Sequence, residues 1–125
     1  MIHLDANFLI DTLKPNSAQS LALEKWLRDG EPLAMSAIAW SEFLCGPLDE
    51  AAASSAKGLL ETIEPFLDSD AELAAKLFNE TGRRPRAHAD CMIAAVAIRL
   101  TAALATSNHA DFKRFEKSGL RIAEL

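Results

Sequence analysis

Four acidic residues, spread widely along the chain, each stand beside an apolar segment: Asp5, Glu42, Asp90 and Asp111. If folding brings their carboxylates together, they will repel one another, and each will resist ionisation unless a cation compensates its charge. Oxygen ligands of this kind suit Mg²⁺ or Mn²⁺, which keep some of their waters and bind phosphate oxygens. The chemistry that such a cluster supports is hydrolysis of a phosphodiester by a metal-activated water.

Short apolar runs alternate along the chain with longer segments of helical periodicity, a pattern typical of a parallel sheet covered by helices. The runs predicted as strands are residues 2–4, 33–35, 63–67, 105–106 and 120–123. The segments predicted as helices are residues 7–13, 16–29, 37–45, 49–62, 69–81, 88–104 and 108–117. The expected helix caps and helix ends are Asn16, Ser36, Ser69, Gly46-Pro47 and Gly82.

The functional site of such a sheet lies at the carboxyl ends of its strands, so the residues that follow each predicted strand bear most on function. Asp5 follows the first strand directly, and Glu42 lies on the helix after the second strand. Asp90 stands at the start of the long predicted helix, and Asp111 follows the predicted strand 105–106. The four acids are therefore expected to converge at one edge of the sheet.

Each acid also has a purely structural interpretation. Asp5 could cap the helix that follows it, and Asp90 could favour a helix N-terminus through the helix dipole. Glu42 could be a partly exposed helix residue, while Asn108 and Asp111 resemble an N-cap with an acid at the third helical position. The prediction of a shared site rests on the common placement of the acids after strands.

Composition limits the class of protein. The chain has 125 residues, of which 50% are hydrophobic, enough for a single domain over residues 1–125 with its own core. No apolar segment reaches the roughly 20 residues that span a membrane. The two cysteines lie far apart, which favours a reducing cytoplasm. A net charge of −5 counts against electrostatic wrapping of nucleic acid, although cations bound at an acidic site would offset it.

Three rival functions remain open on the residues alone. A phosphatase of the haloacid dehalogenase type would use Asp5 as a nucleophile, but it normally has a second aspartate two residues on, where this chain has Asn7. A receiver domain would need an acidic neighbour for Asp5 and a lysine after a late strand, and the first lysine after Thr106 is Lys113. An inactive nuclease-like binding module would be expected to lack one of the acids, and all four are present.

Four stretches occur in order over the whole chain: LDANFLID, SAIAWSEFLCG, HADCMIAAVAI and ATSNHADFKRF. Together they resemble the PIN-domain ribonucleases, and in size and layout the VapC toxins of toxin–antitoxin pairs. The resemblance implies a Rossmann-like three-layer α/β/α sandwich with a central parallel sheet, and an endoribonuclease that depends on Mg²⁺ or Mn²⁺. It also implies a homodimer, a tRNA or rRNA substrate, and a VapB-like antitoxin that lays a segment across the toxin's groove.

The resemblance also assigns roles to residues. The family's metal-site acids match Asp5, Glu42, Asp90 and Asp111, of which the last often acts through water or a second ion. The family's small polar residues near the metal match Asn7, Ser36, Ser107 and Asn108. The chain departs from the family pattern at Ser107, because a longer basic side chain often follows the threonine.

A basic loop lies just before Asp90 and contains Arg83, Arg84 and Arg86. Its guanidinium groups could hold the phosphate backbone of RNA beside the acids. A solvated loop without a ligand is the alternative interpretation.

Overall fold

A parallel sheet of short strands lies at the centre of the computed structural model, which describes residues 1–46 and 48–125. Among those residues the strands are β1 (Ile2–Leu4), β2 (Leu33–Ser36), β3 (Thr62–Glu64), β4 (Ala103–Ala105) and β5 (Arg121–Ile122). Their order in the sheet is β3–β2–β1–β4–β5, and each neighbouring pair is parallel. β1 is therefore the central strand, and the course of the chain across the sheet reverses beside it.

Helices connect the strands. In chain order they are α1 (Ala6–Asp11), α2 (Ala18–Arg28), α3 (Ala37–Leu44), α4 (Glu50–Leu59), α5 (Asp68–Glu80), α6 (His88–Arg99) and α7 (His109–Phe112), which continues into a 3₁₀ helix, Lys113–Ser118. Right-handed crossovers place α1 to α4 on one face of the sheet and α5 to α7 on the other. This is the predicted three-layer α/β/α sandwich. No helix in the described part of the chain is long and apolar enough to cross a membrane.

Large apolar side chains fill the space between the sheet and the helices. β1 and β2 are buried along their whole length, and the rings of Phe8, Phe43, Phe112 and Phe115 are almost inaccessible to solvent. α6 is buried at residues 91 and 93–97, where small alanine side chains let the helix lie close to its neighbours. This packing fixes the first turn of α6 relative to the strands.

The start of α2 and the end of α3 differ slightly from prediction. α2 is capped by Ser17, whose hydroxyl accepts from the backbone N–H of Ser20 at 3.0 Å. The predicted cap, Asn16, lies outside the helix with a φ of 61°. α3 ends at Leu44, and Pro47, part of its predicted end, lies outside the described residues.

The third strand begins earlier than predicted and is shorter. Ala34 pairs with Thr62 and Ser36 with Glu64, which sets the limits of β3 and ends α4 at Leu59 instead of residue 62. Pro65, which follows the last residue of β3, has no backbone N–H to donate to a sheet, and the strand stops before it. The predicted strand 63–67 is therefore wrong at both ends.

The long helix predicted over residues 88–104 is wrong at its carboxyl end. α6 ends at Arg99, Thr101 turns the chain with a φ of 53°, and Leu104 lies in β4. Periodicity cannot separate a buried helix from a buried strand when a run is apolar on all sides. The strand predicted at 105–106 accordingly lies at 103–105, where it pairs with β1.

A partly buried ion pair joins α5 to the end of α6. The Arg99 guanidinium donates to both carboxylate oxygens of Asp70, at 2.7 and 3.0 Å. Asp70, only 1% exposed, also accepts from the backbone N–H of Leu67 at 2.9 Å. That hydrogen bond starts the helix at Asp68, so the predicted cap at Ser69 is wrong and lies inside the first turn.

Asp70→Asn is expected to lower the free energy of unfolding by about 1–2 kcal/mol, because the partly exposed guanidinium of Arg99 loses its charged hydrogen-bond partner. Urea unfolding of the purified variant measures the loss. Glu72→Gln, which alters an exposed carboxylate on the same helix, is the control and should unfold like the wild type. Equal stability of the two variants would contradict a structural role for the ion pair.

Candidate active site

The carboxylate of Asp5 stands at the end of β1, and only 4% of the residue is exposed. Its Oδ1 accepts a hydrogen bond from the backbone N–H of Phe8 at 2.7 Å and so caps α1. Its Oδ2 accepts a hydrogen bond from the hydroxyl of Thr106. The capping role is therefore present, and the same carboxylate also takes part in a polar cluster after the sheet.

Thr106 is a site residue that sequence reasoning missed. β1 and β4 pair with Leu4 opposite Ala105, so the next residues along each strand, Asp5 and Thr106, also come side by side. The Thr106 hydroxyl accepts in turn from the backbone N–H of Asn108 at 2.9 Å. One side chain thus holds both the carboxylate after β1 and the loop after β4. The sequence carries no signal for this role, because the predicted strand 105–106 includes Thr106, and only the observed end of β4 at Ala105 puts it after the strand.

A cavity of about 220 Å³ opens beside Asp5 at the carboxyl edge of the sheet. Its lining includes three of the predicted acids and two of the predicted small polar residues. These are Asp5, Asn7, Glu42, Asp90 and Asn108, with Ala6, Ile10 and Ile93 as apolar wall. We call it the acid cavity. It lies where the chain reverses across the sheet, which is where open α/β sheets bind their ligands.

Two helices deliver the acids that do not follow a strand directly. Ser36, at the end of β2, accepts from the backbone N–H of Ala39 at 3.1 Å and caps α3, which carries Glu42. Ser36 is 1% exposed, so its contact is with the helix and not with the acid cavity. Asp90 lies in the first turn of α6, where the partial positive charge of the helix N-terminus favours an anion.

The three acids of the cavity share one electrostatic problem. Burial raises the pKa of Asp5, which the hydrogen bonds from Thr106 and Phe8 partly oppose. Burial also raises the pKa of Glu42, and the nearby charges of Asp90 and Asp5 raise it further. The pKa of Asp90 is raised by burial and then by other carboxylates. Each acid therefore resists ionisation while no cation accompanies it.

The cavity lining suits a hard divalent cation. Carboxylate and amide oxygens are the available donors, and acids that repel one another gain from a positive charge between them. Within residues 1–46 and 48–125, no three acidic, histidine or cysteine side chains lie close enough to enclose an ion by themselves. Mg²⁺ is often held by one or two carboxylates together with water and substrate phosphate, so an open arrangement of acids fits it.

Asp111 lies outside the acid cavity, on an exposed part of α7. It lines a neighbouring cavity of about 220 Å³ that also contains Arg84, Arg86, Asp90 and Arg114. We call this the arginine cavity. Asp90 lines both cavities, and the charge of Asp111 raises the pKa of Asp90 while that of Arg114 lowers it. The fourth acid is thus next to the cluster but on the far side of Asp90.

Arg114 is the third arginine of the arginine cavity and lies outside the basic loop. Its guanidinium stacks on the ring of Phe115, 4.7 Å from the centroid. Its Nε is buried and has no hydrogen-bond partner among the described residues. Stacking on Phe115 therefore holds the guanidinium of Arg114 beside Asp90 and Asp111, where its Nε–H is available to donate a hydrogen bond.

Ser107 lies near the site without lining it. Its hydroxyl donates to the Asp11 carboxylate at 2.6 Å and accepts from the side-chain amide of Gln19 at 3.3 Å. The hydrogen bond from Ser107, aided by Lys14, holds the pKa of Asp11 below its usual value. Ser107 thus ties the loop after β4 to the end of α1.

The three arginines of the basic loop separate. Arg84 and Arg86 line the arginine cavity, whereas Arg83 turns the other way. The guanidinium of Arg83 lies 5.5 Å from the ring centroid of Phe78 and donates to the side-chain oxygen of Asn79. The basic loop therefore serves two different surfaces.

A doubly wound parallel sheet with an acid-lined cavity at its point of reversal defines the class, a three-layer α/β domain. A sequence model of the PIN domain matches residues 2–118, and the chain belongs to the PIN domain family. The resemblance seen in the sequence is thereby confirmed. A comparison with curated proteins found no significant match.

Solved structures share the fold over nearly the whole chain. VapBC-1 from nontypeable Haemophilus influenzae matches with a TM-score of 0.76 and 22% identity, over 99% of this chain and 98% of that chain. VapC20 from Mycobacterium tuberculosis, described as a Sarcin-Ricin loop cleaving toxin, matches with a TM-score of 0.69 and 14% identity, over 98% of each chain. A toxin–antitoxin complex from Klebsiella pneumoniae matches with a TM-score of 0.70 and 26% identity, over 90% of each chain.

Asp90→Asn is expected to raise the melting temperature of the metal-free protein. Because burial and neighbouring carboxylates raise the pKa of Asp90, its ionised form is disfavoured in the folded chain and costs stability at neutral pH. This cost grows as the pH rises through the raised pKa and vanishes below the ordinary carboxyl range. The gain from the amide should therefore shrink on acidification. Calorimetry in EDTA at neutral and acidic pH measures both effects.

Added Mg²⁺ extends this test. It should raise the melting temperature of the wild type, because a ligand that binds only the folded state stabilises it, and should do so less for Asp90→Asn. Glu24→Gln, which alters an exposed carboxylate on α2, is the control and should behave as wild type in both media. A metal-free Asp90→Asn protein that melts below the wild type would overturn the electrostatic account.

Thr106→Val is expected to lower the free energy of unfolding by about 1–3 kcal/mol, because a buried carboxylate oxygen and a backbone N–H both lose their partner. Thr106→Ser keeps the hydroxyl and should retain most of the stability. Chemical unfolding of both variants at neutral pH provides the comparison. If valine is tolerated as well as serine, the hydroxyl does not hold the site together.

Proposed function

We propose that the chain is a divalent-metal-dependent endoribonuclease and the toxin of a toxin–antitoxin pair. The observation that supports this most is the placement of three carboxylates with raised pKa values around one cavity, in a chain of the PIN domain family. The arginine cavity beside them adds cationic groups suited to a phosphate backbone. Acids for a cation and arginines for a polyanion together favour phosphodiester cleavage over the other chemistries of acidic clusters.

Asp5, Glu42 and Asp90 would hold Mg²⁺ or Mn²⁺ together with bound water and substrate phosphate, with part of the acid set acting through that water, and Asp111 would support a second ion or a water on the far side of Asp90. The bound cation would make water a usable nucleophile near neutral pH and offset the charge at the scissile phosphate. Asn108, whose backbone is fixed through Thr106, would orient groups in the cavity. Hydrolysis by water leaves a 5′ phosphate and a 3′ hydroxyl.

The protein's own side chains would position the RNA. Arg84, Arg86 and Arg114 line the arginine cavity. A guanidinium group can donate two parallel hydrogen bonds to two oxygens of one phosphate. Asn7 lies in the acid cavity, in the place where a dehalogenase-type phosphatase would need its acid. An amide is too weak an acid to protonate a leaving group, which makes phosphatase chemistry a weaker alternative. Arg83 lies apart from the other arginines and belongs to a different surface.

The proposed partners follow from the PIN toxins that share the fold. One neighbour is described as a member of the VapBC family of toxin–antitoxin systems, and VapBC2 from Rickettsia felis is described as bound to a DNA fragment from its promoter. We infer a VapB-like antitoxin with a basic segment for this chain, a homodimer as its assembly, and tRNA or rRNA as its target. The net charge of −5 suits a basic inhibitor segment, since the acid cavity would attract it.

The test uses purified protein, free of any antitoxin, and total bacterial RNA in EDTA, Mg²⁺ or Mn²⁺. Discrete cleavage in the presence of metal is expected, with 5′ phosphate and 3′ hydroxyl ends. Glu42→Gln and Asp90→Asn should each lower the rate by at least about a hundredfold, the upper range for losing a supporting residue of a metal site. Asp111→Asn should lower it less, because that acid lies outside the acid cavity.

Glu24→Gln serves as the matched control and should cleave like the wild type. Ends that carry a 2′,3′-cyclic phosphate would contradict hydrolysis by water, since they signal attack by the 2′-OH of the RNA itself. No cleavage with either metal would favour an inactive binding module. Activity confined to phosphate monoesters would favour the phosphatase.

A further inference from the structure

A third cavity, of about 400 Å³, lies between α5 and the start of α6. Its lining consists of Phe78, Asn79, Arg83 and His88, together with Ala75. His88 and Asp90 lie two residues apart on α6, so they project about 200° apart around the helix axis. The acid cavity and this cavity therefore flank the same helix turn. An α-helix with its side chains is about 10–12 Å across, which sets the scale of their separation.

The side chains of the third cavity form one connected cluster. The imidazole of His88 meets the ring of Phe78 edge to face, with centroids 6.0 Å apart and planes at 79°. The guanidinium of Arg83 lies 5.5 Å from the centroid of the same ring and donates to Asn79. Phe78 is half-buried, whereas the other three residues are exposed. The fold does not need these polar groups for its core, and they surround an accessible aromatic ring.

The lining differs in kind from that of the arginine cavity. There, three guanidinium groups meet two carboxylates, a set suited to phosphate and metal. Here, one cation stands among two aromatic rings and an amide. Proteins hold unstacked nucleobases with such groups, stacking them on aromatic and guanidinium planes and hydrogen-bonding their edges with amides.

We propose that Phe78, Asn79, Arg83 and His88 form a binding site for one unpaired nucleobase of the RNA, a proposal that rests on the proposed ribonuclease function. The strand would cross the first turn of α6, with phosphates on Arg84, Arg86 and Arg114 and a base in the third cavity. Phe78 would stack on that base, and the side chains of Asn79 and His88 would contact its edge. The third cavity would thus help to choose which nucleotide stands next to the cleaved bond.

The test measures RNA binding apart from cleavage. Asp90→Asn protein is titrated, by fluorescence anisotropy, into single-stranded oligo-A, oligo-C, oligo-G and oligo-U, and into an abasic RNA of equal length. A preference among the bases is expected, with weaker binding of the abasic strand. Adding Phe78→Leu should weaken binding of the preferred RNA about tenfold, in the range of one lost base-stacking contact. Binding of the abasic strand should not change.

Two further variants keep the outcome decisive. His88→Ala removes an exposed side chain, so it should leave folding intact and still weaken binding of the preferred RNA. Arg84→Gln should weaken the base-bearing and abasic strands alike, because it removes a phosphate contact. If Phe78→Leu and His88→Ala both bind all RNAs as the parent does, the nucleobase site is overturned. Sedimentation that shows these variants losing self-association, with RNA binding unchanged, would identify an interface between copies and also overturn it.

The two proposals fail separately. Metal-dependent cleavage by the wild type, together with base-independent binding, removes only the nucleobase site. Base-selective binding that depends on Phe78 and His88, in a wild-type protein that cleaves no RNA with any metal, upholds the nucleobase site and removes the ribonuclease.

Discussion

The hydrogen bond between the Thr106 hydroxyl and the buried carboxylate of Asp5 joins the two central strands at the edge where the site forms. Most of the local structure depends on it. The other oxygen of Asp5 starts α1, and the Thr106 oxygen positions the backbone of Asn108. The parallel pairing of β1 with β4 thus fixes the position of the Asp5 carboxylate, which lines the acid cavity. A shift of one residue in that pairing would turn the carboxylate to the other face of the sheet.

The site is costly to the fold that carries it. Three carboxylates with raised pKa values surround one cavity, so the metal-free chain holds charge that it disfavours. Other parts of the fold offset this destabilisation: the four buried phenylalanine rings, and the ion pair between Asp70 and Arg99 that holds α5 against α6. Such a division between a strained site and a well-packed scaffold is common in proteins that bind a charged ligand.

The architecture was predictable because apolar runs alternate with segments of helical periodicity. Three of the four acids could be placed together, because Asp5 follows a strand, Glu42 lies on the helix after the next strand and Asp90 begins a helix. The predictions that failed concern residues whose roles depend on contacts with residues elsewhere in the fold. Leu104 was assigned to a helix because its neighbourhood is apolar on all sides, and the pairing with β1 makes it a strand. Thr106 falls within the predicted strand 105–106 and Arg114 within the predicted helix 108–117, so neither was assigned to the site. Their roles arise from the register of β4 and from stacking on Phe115.

Local charge, not net charge, decides how an acidic chain can approach RNA. Arg84, Arg86 and Arg114 line the cavity on one side of Asp90, together with Asp111, while Asp5 and Glu42 line the cavity on the other side. A polyanion is drawn to the arginines and repelled by the acids until a cation neutralises them. Strand and metal would therefore bind with positive coupling, each lowering the cost of the other. A basic protein segment that fills the acid cavity would compete with the metal, because both would neutralise the same carboxylates.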